Sequence, residues 1–280
     1  MSGSASAPGS SGNLGPGFDV LGLAVKLRCR VEATPSAEMT VDDGEGPQAL
    51  DEDHIVYRAA MAGSNAPMSM IVNNEVPRTR GLGSSAAVMV ATAAAAARAV
   101  GVEPDRGWIY EIVTAIEGHG DNVAAAVYGG LTAVGVDGAR SLPISDQLVL
   151  VVGVPEDRLA TNEARDVLPA QVSLDTAARS VGRVVALVEG LRTADSAVLA
   201  AARGDELHEL SRSHLSPVTG AMIDAAIQAG ALHAAWSGAG PTAIAFTTAE
   251  QQDAVAAAME GVLGEDGNVM FLGVDYDGLV

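Results

Sequence analysis

Three glycine-rich stretches hold the residues best able to grip an anion. They are Pro8-Gly9-Ser10-Ser11-Gly12-Asn13-Leu14-Gly15-Pro16-Gly17-Phe18-Asp19, Arg80-Gly81-Leu82-Gly83-Ser84-Ser85-Ala86-Ala87 and Ser237-Gly238-Ala239-Gly240-Pro241-Thr242. The second runs directly into an alanine-rich helical pattern. Glycine lets a backbone approach a ligand, and a helix start offers unpaired N–H groups with roughly half a positive charge. Main chain alone can therefore build an anion site there. Two common nucleotide motifs fail at this place. A Walker loop needs lysine after its last glycine, where Ser84 stands. A dinucleotide fingerprint needs a preceding βαβ strand and a ribose-binding acid, and neither is evident. Lys26 is the sole lysine, against fifteen arginines, so no mechanism can use a loop or helix lysine.

Composition limits what such an anion site can serve. With 16 basic and 35 acidic side chains the formal charge is −19, which repels phosphate polymers and anionic bilayers. Nucleic acid and membrane are thus not expected as partners, and a nucleotide must be held by local donors, backbone dipoles and cations. The chain is 48% hydrophobic and 18% charged, too apolar for disorder, yet no run of about 20 uncharged apolar residues suits a membrane span. A single cysteine, Cys29, excludes an intrachain disulfide framework. Residues 1 to 12 lack the basic start and apolar stretch of a secretory signal, so a cytoplasmic location is expected.

The elements that must position these stretches follow from periodicity. Apolar and β-branched alternation predicts strands near 24–33, 37–42, 67–73, 130–136, 147–154, 232–236, 242–247 and 268–274. Helical patterns cover 53–63, 84–100, 105–117, 121–128, 172–191, 194–203, 205–214, 217–229 and 249–262. The run Ala93 to Ala97 reads as a buried helix whose small side chains permit close packing. Strands dominate early and helices late without a regular βαβ repeat, which predicts an α+β fold with a seam at 138–146. At 280 residues the chain suits about two domains. His208 and His214 on a helical pattern, and His233 at a strand start, read as surface or packing residues.

Together the three stretches resemble the amino-terminal motif, the phosphate loop and the carboxy-terminal glycine motif of the GHMP small-molecule kinases. The wording Asn13-Leu14-Gly15-Pro16-Gly17-Phe18-Asp19 is similar to that of the homoserine kinases among them, as is Glu117-Gly118-His119-Gly120-Asp121-Asn122-Val123 followed by Gly129-Gly130. The resemblance implies a ribosomal-protein-S5-domain-2-like α/β domain over 1–144 and a ferredoxin-like α+β domain over 145–280. It also implies ATP and Mg²⁺ as cofactors, L-homoserine as the small-molecule partner, and leaves a homodimer open. ATP would lie against Arg80 to Ala87, with Gly238 and Gly240 nearby. Glu117, ending a helix beside a turn, could give Mg²⁺ one oxygen while phosphates and waters supply the rest, helped by Ser84 or Ser85. Glu111 competes, but six residues away it cannot share a face with Glu117.

Homoserine is a zwitterion, so its site needs a carboxylate clamp, an ammonium acceptor and a means of aligning the hydroxyl. By the resemblance, Arg165 and Arg212 take the carboxylate, Asn13 and Asp19 the ammonium and hydroxyl end, and His119 sits at the substrate with Thr161 near the γ-phosphate. Asn122 or His119 could orient the hydroxyl, and no definite base is assigned. Four features depart from the pattern. Gly9 and Gly12 replace small side chains and loosen the first turn, His54 stands for an adenine-pocket asparagine, Asn162 for a lysine, and Gly120 for a proline. Alternatives are another GHMP kinase acting on mevalonate, a sugar or a cytidylyl polyol, and a silent nucleotide-binding regulator on the same scaffold.

Overall fold

The computed structural model describes all 280 residues and builds two sheets. The first comprises β1 (Gly3–Gly12), β2 (Leu21–Pro35), β3 (Thr40–Asp42), β4 (Gln48–Ala49), β5 (Met68–Asn74), β6 (Leu131–Gly135) and β7 (Gly138–Leu142). Their order is β4-β3-β5-β2-β6-β7, with β1 antiparallel to β2. The long β2 carries β1 along one edge, while β5 and β6 share the other at Cys29–Pro35 and Leu21–Leu23. Alternation in β2 sets the faces: Cys29, Val31 and Ala33 are buried, and Arg30, Glu32 and Thr34 are exposed.

Four helices accompany this sheet: α1 (Ile55–Ser64), α2 (Ser84–Ala99), α3 (Arg106–Glu117) and α4 (Asp121–Tyr128). Thirteen of the sixteen residues of α2 are buried, so the alanine run is a core helix as its composition predicts. Its small side chains let neighbours touch its backbone. A Cβ placed on Gly3 of β1 would stand 2.2 Å from the Ala95 carbonyl oxygen, and one on Gly63 of α1 2.2 Å from that of Ala93. The C-terminal half of α2 is thereby fixed against β1 and α1.

The second sheet holds β8 (Val149–Pro155), β9 (His233–Trp236), β10 (Ala243–Thr247) and β11 (Gly267–Leu272), all antiparallel in the order β11-β8-β10-β9. Between β8 and β9 run α5 (Thr161–Asp166), α6 (Leu174–Thr193), α7 (Ser196–Ala201), α8 (Glu209–Arg212) and α9 (Pro217–Gln228), and α10 (Gln252–Leu263) joins β10 to β11. This βαββαβ order is the ferredoxin-like arrangement within an α+β fold. Residues beyond β11 return to the first sheet, where Ser6 and Val280 exchange two main-chain hydrogen bonds of 2.8 and 3.0 Å. No helix is long and apolar enough to cross a membrane.

All eight strands expected from alternation are present, but three more exist. The glycine stretch ending at Gly12 is a paired strand, although Gly, Ser and Ala are poor strand formers; its partner β2 imposes the conformation. Its glycines tighten the turn rather than loosening it, because a Cβ on Gly12 would lie 2.5 Å from Asp121 Oδ2. The expected seam at 138–146 contains β7, which pairs along β6. Helix α5 begins without a side-chain cap at Ala160, so no local signal announced it, and the pattern over 205–214 yields only the short α8.

Candidate active site

The three glycine stretches converge at one cleft between the sheets. Ser10 N–H donates to the Leu82 carbonyl (2.9 Å), the Ser237 hydroxyl to that of Gly81 (2.7 Å), and Gly238 N–H to that of Gly12 (3.0 Å). Asn13 joins them: its Nδ2 donates to the Gly238 carbonyl at 2.9 Å and its Oδ1 accepts from Asp19 N–H at 3.0 Å. Only glycine fits the middle loop. At Gly83, with φ of 65°, a Cβ would lie 2.2 Å from Ser10 Oγ, and at Gly81 it would lie 2.1 Å from the Ser237 carbonyl oxygen. Gly240 sits behind the cleft against Trp236, where a Cβ would come within 2.5 Å of the indole.

Gly83 caps α2 without any side-chain bond. Ala87 N–H is the first to bond back, to the Gly83 carbonyl at 3.0 Å, leaving the N–H groups of Ser84, Ser85 and Ala86 for an anion. Leu82, Ala86 and Ala87 are fully buried and carry apolar side chains that offer an anion no donor, and the Ala87 N–H is already taken by Gly83. The two serines face different partners. Ser84 Oγ accepts from Asn74 Nδ2 (2.9 Å) and donates to the Val76 carbonyl (3.3 Å), whereas Ser85 Oγ donates to Glu117 Oε2 (3.0 Å). Arg80 is committed to the main chain at the end of β8, donating to Pro155 and Glu156 carbonyls at 2.9 and 2.5 Å.

Glu117 ends α3, with Gly118 in a left-handed cap that turns the chain toward His119. Burial pushes the Glu117 carboxyl above its ordinary range, against the opposing pull of His119 and the Ser85 hydroxyl. Glu111, on the same helix, is exposed and does not line the cleft. His119 Nδ1 lies 2.9 Å from Asp121 Oδ1 and its Nε2 lies 3.8 Å from Glu117 Oε1. Burial works to lower the His119 pKa, but the Asp121 hydrogen bond and the charges of Asp121 and Glu117 together raise it. Asn122 Oδ1 accepts from Ser10 Oγ at 2.9 Å.

Across the cleft stand the arginines. Arg165, in the last turn of α5, forms a parallel two-bond pair with Asp19, Nη1 to Oδ2 at 3.0 Å and Nη2 to Oδ1 at 2.6 Å. Arg212 is only 1% exposed. Its Nε donates to the Ala164 carbonyl (2.9 Å), and its Nη1 meets His208 Nδ1 (2.9 Å) and the Gly238 carbonyl (3.2 Å); Nη2 has no protein partner. Both guanidiniums lie over the Phe18 ring, Arg165 at 5.7 Å and Arg212 at 5.6 Å from its centroid. Burial brings the Arg212 pKa down to about 10. Thr161 is exposed at the first position of α5 and lines the same cleft.

A neighbouring hollow of about 490 Å³ opens beside Ser84 and Ser85 and is lined by Val41, Leu50, Ile55, Val56, Val72 and Val88. His54 stands at its rim and caps α1, accepting from Val56 N–H at 3.2 Å through Nδ1. The sequence patterns assign no role to Ser10 or Asp121 and read His208 as a surface or packing residue, yet the fold brings all three to the site. Asp121 is 2% exposed and could have been suspected only from its place beside His119. His208 is fully buried, in keeping with the packing alternative, and its role depends on contacts 193 residues away in sequence.

Comparison with known proteins places this geometry among relatives. Residues 54–130 match the GHMP kinases N terminal domain and residues 186–263 the GHMP kinases C terminal domain. A homoserine kinase of Moorella thermoacetica is 37% identical, with 87% of each chain covered. One of Thermus thermophilus is 35% identical, covering 95% of this chain and 94% of the relative. The crystal structure of homoserine kinase from Cytophaga hutchinsonii superposes with a TM-score of 0.88 at 27% identity, covering 100% of this chain and 96% of that one. The mevalonate kinase of Methanococcus jannaschii shares the fold alone, with a TM-score of 0.70 at 14% identity.

Proposed function

The chain belongs to the homoserine kinases of the GHMP kinase family, and from that premise we propose how its residues divide the transfer of the ATP γ-phosphoryl group to the side-chain hydroxyl of L-homoserine. The free N–H groups of Ser84, Ser85 and Ala86 hold the phosphate oxygens, aided by the dipole of α2. The purine goes to the hollow lined by Val56, Val72 and Val88, with His54 at its rim. Arg80 acts at a distance, bracing the loop through its three carbonyl contacts, to Arg78, Pro155 and Glu156.

The donor set suits Mg²⁺. The Ser85 hydroxyl and the Glu117 carboxylate are hard oxygen ligands 3.0 Å apart, directly beside the free N–H groups. No cluster of three or more His, Cys, Asp or Glu side chains forms a metal cage, which leaves the remaining positions to phosphates and water, the usual pattern for this ion. When bound there, the ion neutralises charge on the phosphate oxygens. Ser84, held by Asn74 and Val76, supports the loop and contributes its N–H.

Asp19 and Arg165 present opposite charges to each other, and a zwitterion can exchange into that pair. The substrate ammonium takes Asp19, and its carboxylate takes Arg165 together with the unpartnered Nη2 of Arg212. Asn13 holds Asp19 in place by accepting the Asp19 N–H at its Oδ1. The hydroxyl then points toward Asn122 and His119, while Thr161 approaches the phosphoryl group from α5. Phosphoryl transfer passes through a loose transition state, so alignment and charge neutralisation suffice and no strong base is assigned.

The observation that carries this reading is the Asp19–Arg165 pair facing the Ser85–Glu117 pair across one cleft. Steady-state ADP release with L-homoserine, L-threonine, mevalonate and no acceptor tests it. Turnover is expected with homoserine. Turnover with mevalonate alone would transfer the chain to another GHMP activity, and nucleotide binding without turnover on any acceptor would make it a regulator.

A further inference from the structure

Arg212 can serve a carboxylate only while its planar guanidinium keeps one edge toward the cleft, and that orientation is set by what occupies its other N–H groups. One of the three occupants is a side chain, His208. The imidazole is fully buried and stands at the start of α8. Its Nε2 lies 2.9 Å from the Gly15 carbonyl oxygen and its Nδ1 2.9 Å from Arg212 Nη1. A carbonyl only accepts and a guanidinium only donates, so the ring must be neutral, with its proton on Nε2 and its Nδ1 lone pair on Arg212. Burial acts in the same direction, bringing the His208 pKa down to about 4.

The same ring also stacks on Phe18, with centroids 5.2 Å apart and planes at 28°. Gly15 and Phe18 belong to the loop that presents Asp19. His208 therefore touches both the loop that bears the ammonium acceptor and the arginine proposed for the carboxylate. Asp205 Oδ2 lies 3.7 Å from Nε2, but it already accepts the N–H groups of Leu207, His208 and Glu209, so the Gly15 carbonyl is the ring's partner.

We infer that His208 is a positioning residue for the amino-acid substrate: by accepting from Arg212 Nη1 while donating to Gly15, it turns Nη2 toward the substrate carboxylate. The inference rests on the homoserine reading above and goes beyond it in assigning how Arg212 is held. Two amide replacements separate its parts. In His208→Asn the side-chain oxygen falls near the position of Nδ1 and keeps an acceptor for Arg212. In His208→Gln the amide reaches the position of Nε2 and keeps the bond to Gly15 instead.

Steady-state kinetics of both variants, with melting curves to establish folding, give the test. His208→Asn is expected to keep the KM for homoserine within about threefold, and His208→Gln to raise it roughly tenfold or more, with the KM for ATP unchanged in both. The inference is overturned if both variants keep the wild-type KM, if the KM values for homoserine and ATP rise together, or if His208→Gln outperforms His208→Asn. If the wild type fails to use homoserine, the homoserine reading itself falls, which is a distinct result. Should the variants not fold, imidazole ¹⁵N spectra of the intact protein decide: the Nε2–H tautomer is expected, and an Nδ1–H or doubly protonated ring at neutral pH overturns the inference.

Discussion

Arg165 and Asp19 hold each other through two short hydrogen bonds, each side chain about one third exposed, so the pair is accessible to a substrate that can replace both partners at once. An acceptor with only one of the two charges cannot complete the exchange. Arg165→Ala is expected to raise the KM for homoserine by roughly a hundredfold with little change for ATP, as for loss of a charge-assisted two-bond contact. Equal effects on both substrates, measured by initial rates, would remove the clamp role. Glu117→Gln keeps a partner for Ser85 but removes the anionic oxygen, and kcat with MgATP should fall by about a hundredfold. Asn13, Asp19, His119 and Arg165 could be named from motif wording because each lies within a local pattern. Arg212 could be named but not described, since its burial comes from chain segments far apart. The pairing of Ser85 rather than Ser84 with Glu117 depends on the rotation of α2, which sequence does not specify.

At the scale of elements, the geometry rests on the turn into α2. Gly83 adopts φ of 65° and leaves no room for a methyl group beside Ser10. Gly83→Ala should therefore weaken ATP binding at least tenfold and lower the melting temperature, through left-handed strain and overpacking together. An unchanged KM for ATP would show that the loop is not the phosphate cradle. The turn at α8 has its own pH signature. Glu209 accepts from Trp236 N–H at 2.9 Å, and burial pushes its carboxyl up to about 7. The folded protein then holds this proton more tightly than the unfolded chain, so the stabilisation is complete below about 4.5 and is lost as pH rises through about 7. Glu209→Gln should match the wild-type melting temperature near pH 4.5 and exceed it at pH 8; a constant difference across that range would refute the shift. Elements with their own periodicity, such as α2 and β2, were legible in sequence. Strand β1 and helix α5 were not, because one owes its conformation to a partner strand and the other is a single uncapped turn and a half.

For the whole molecule, the formal charge of −19 is the dominant long-range feature. Self-repulsion of this size destabilises the compact state, and salt screens it over about 10 Å at 0.1 M. Raising KCl from 10 mM to 0.5 M should increase the melting temperature, and a decrease would mean that specific ion pairs outweigh the net field. The α+β class and the excess charge were both evident from composition and periodicity, whereas the return of residues 273–280 to the first sheet was not, being a contact between opposite ends of the chain. That closure and the three converging glycine stretches make one cleft from both sheets. The central claim is that main-chain amides at the start of α2 hold the triphosphate in a protein with no lysine to do so. A crystal structure of the protein with homoserine and a non-hydrolysable ATP analogue tests it most directly: the phosphates are predicted against the N–H groups of Ser84, Ser85 and Ala86, with the amino acid on Asp19 and Arg165, and a phosphate chain seated away from that helix start would contradict the account.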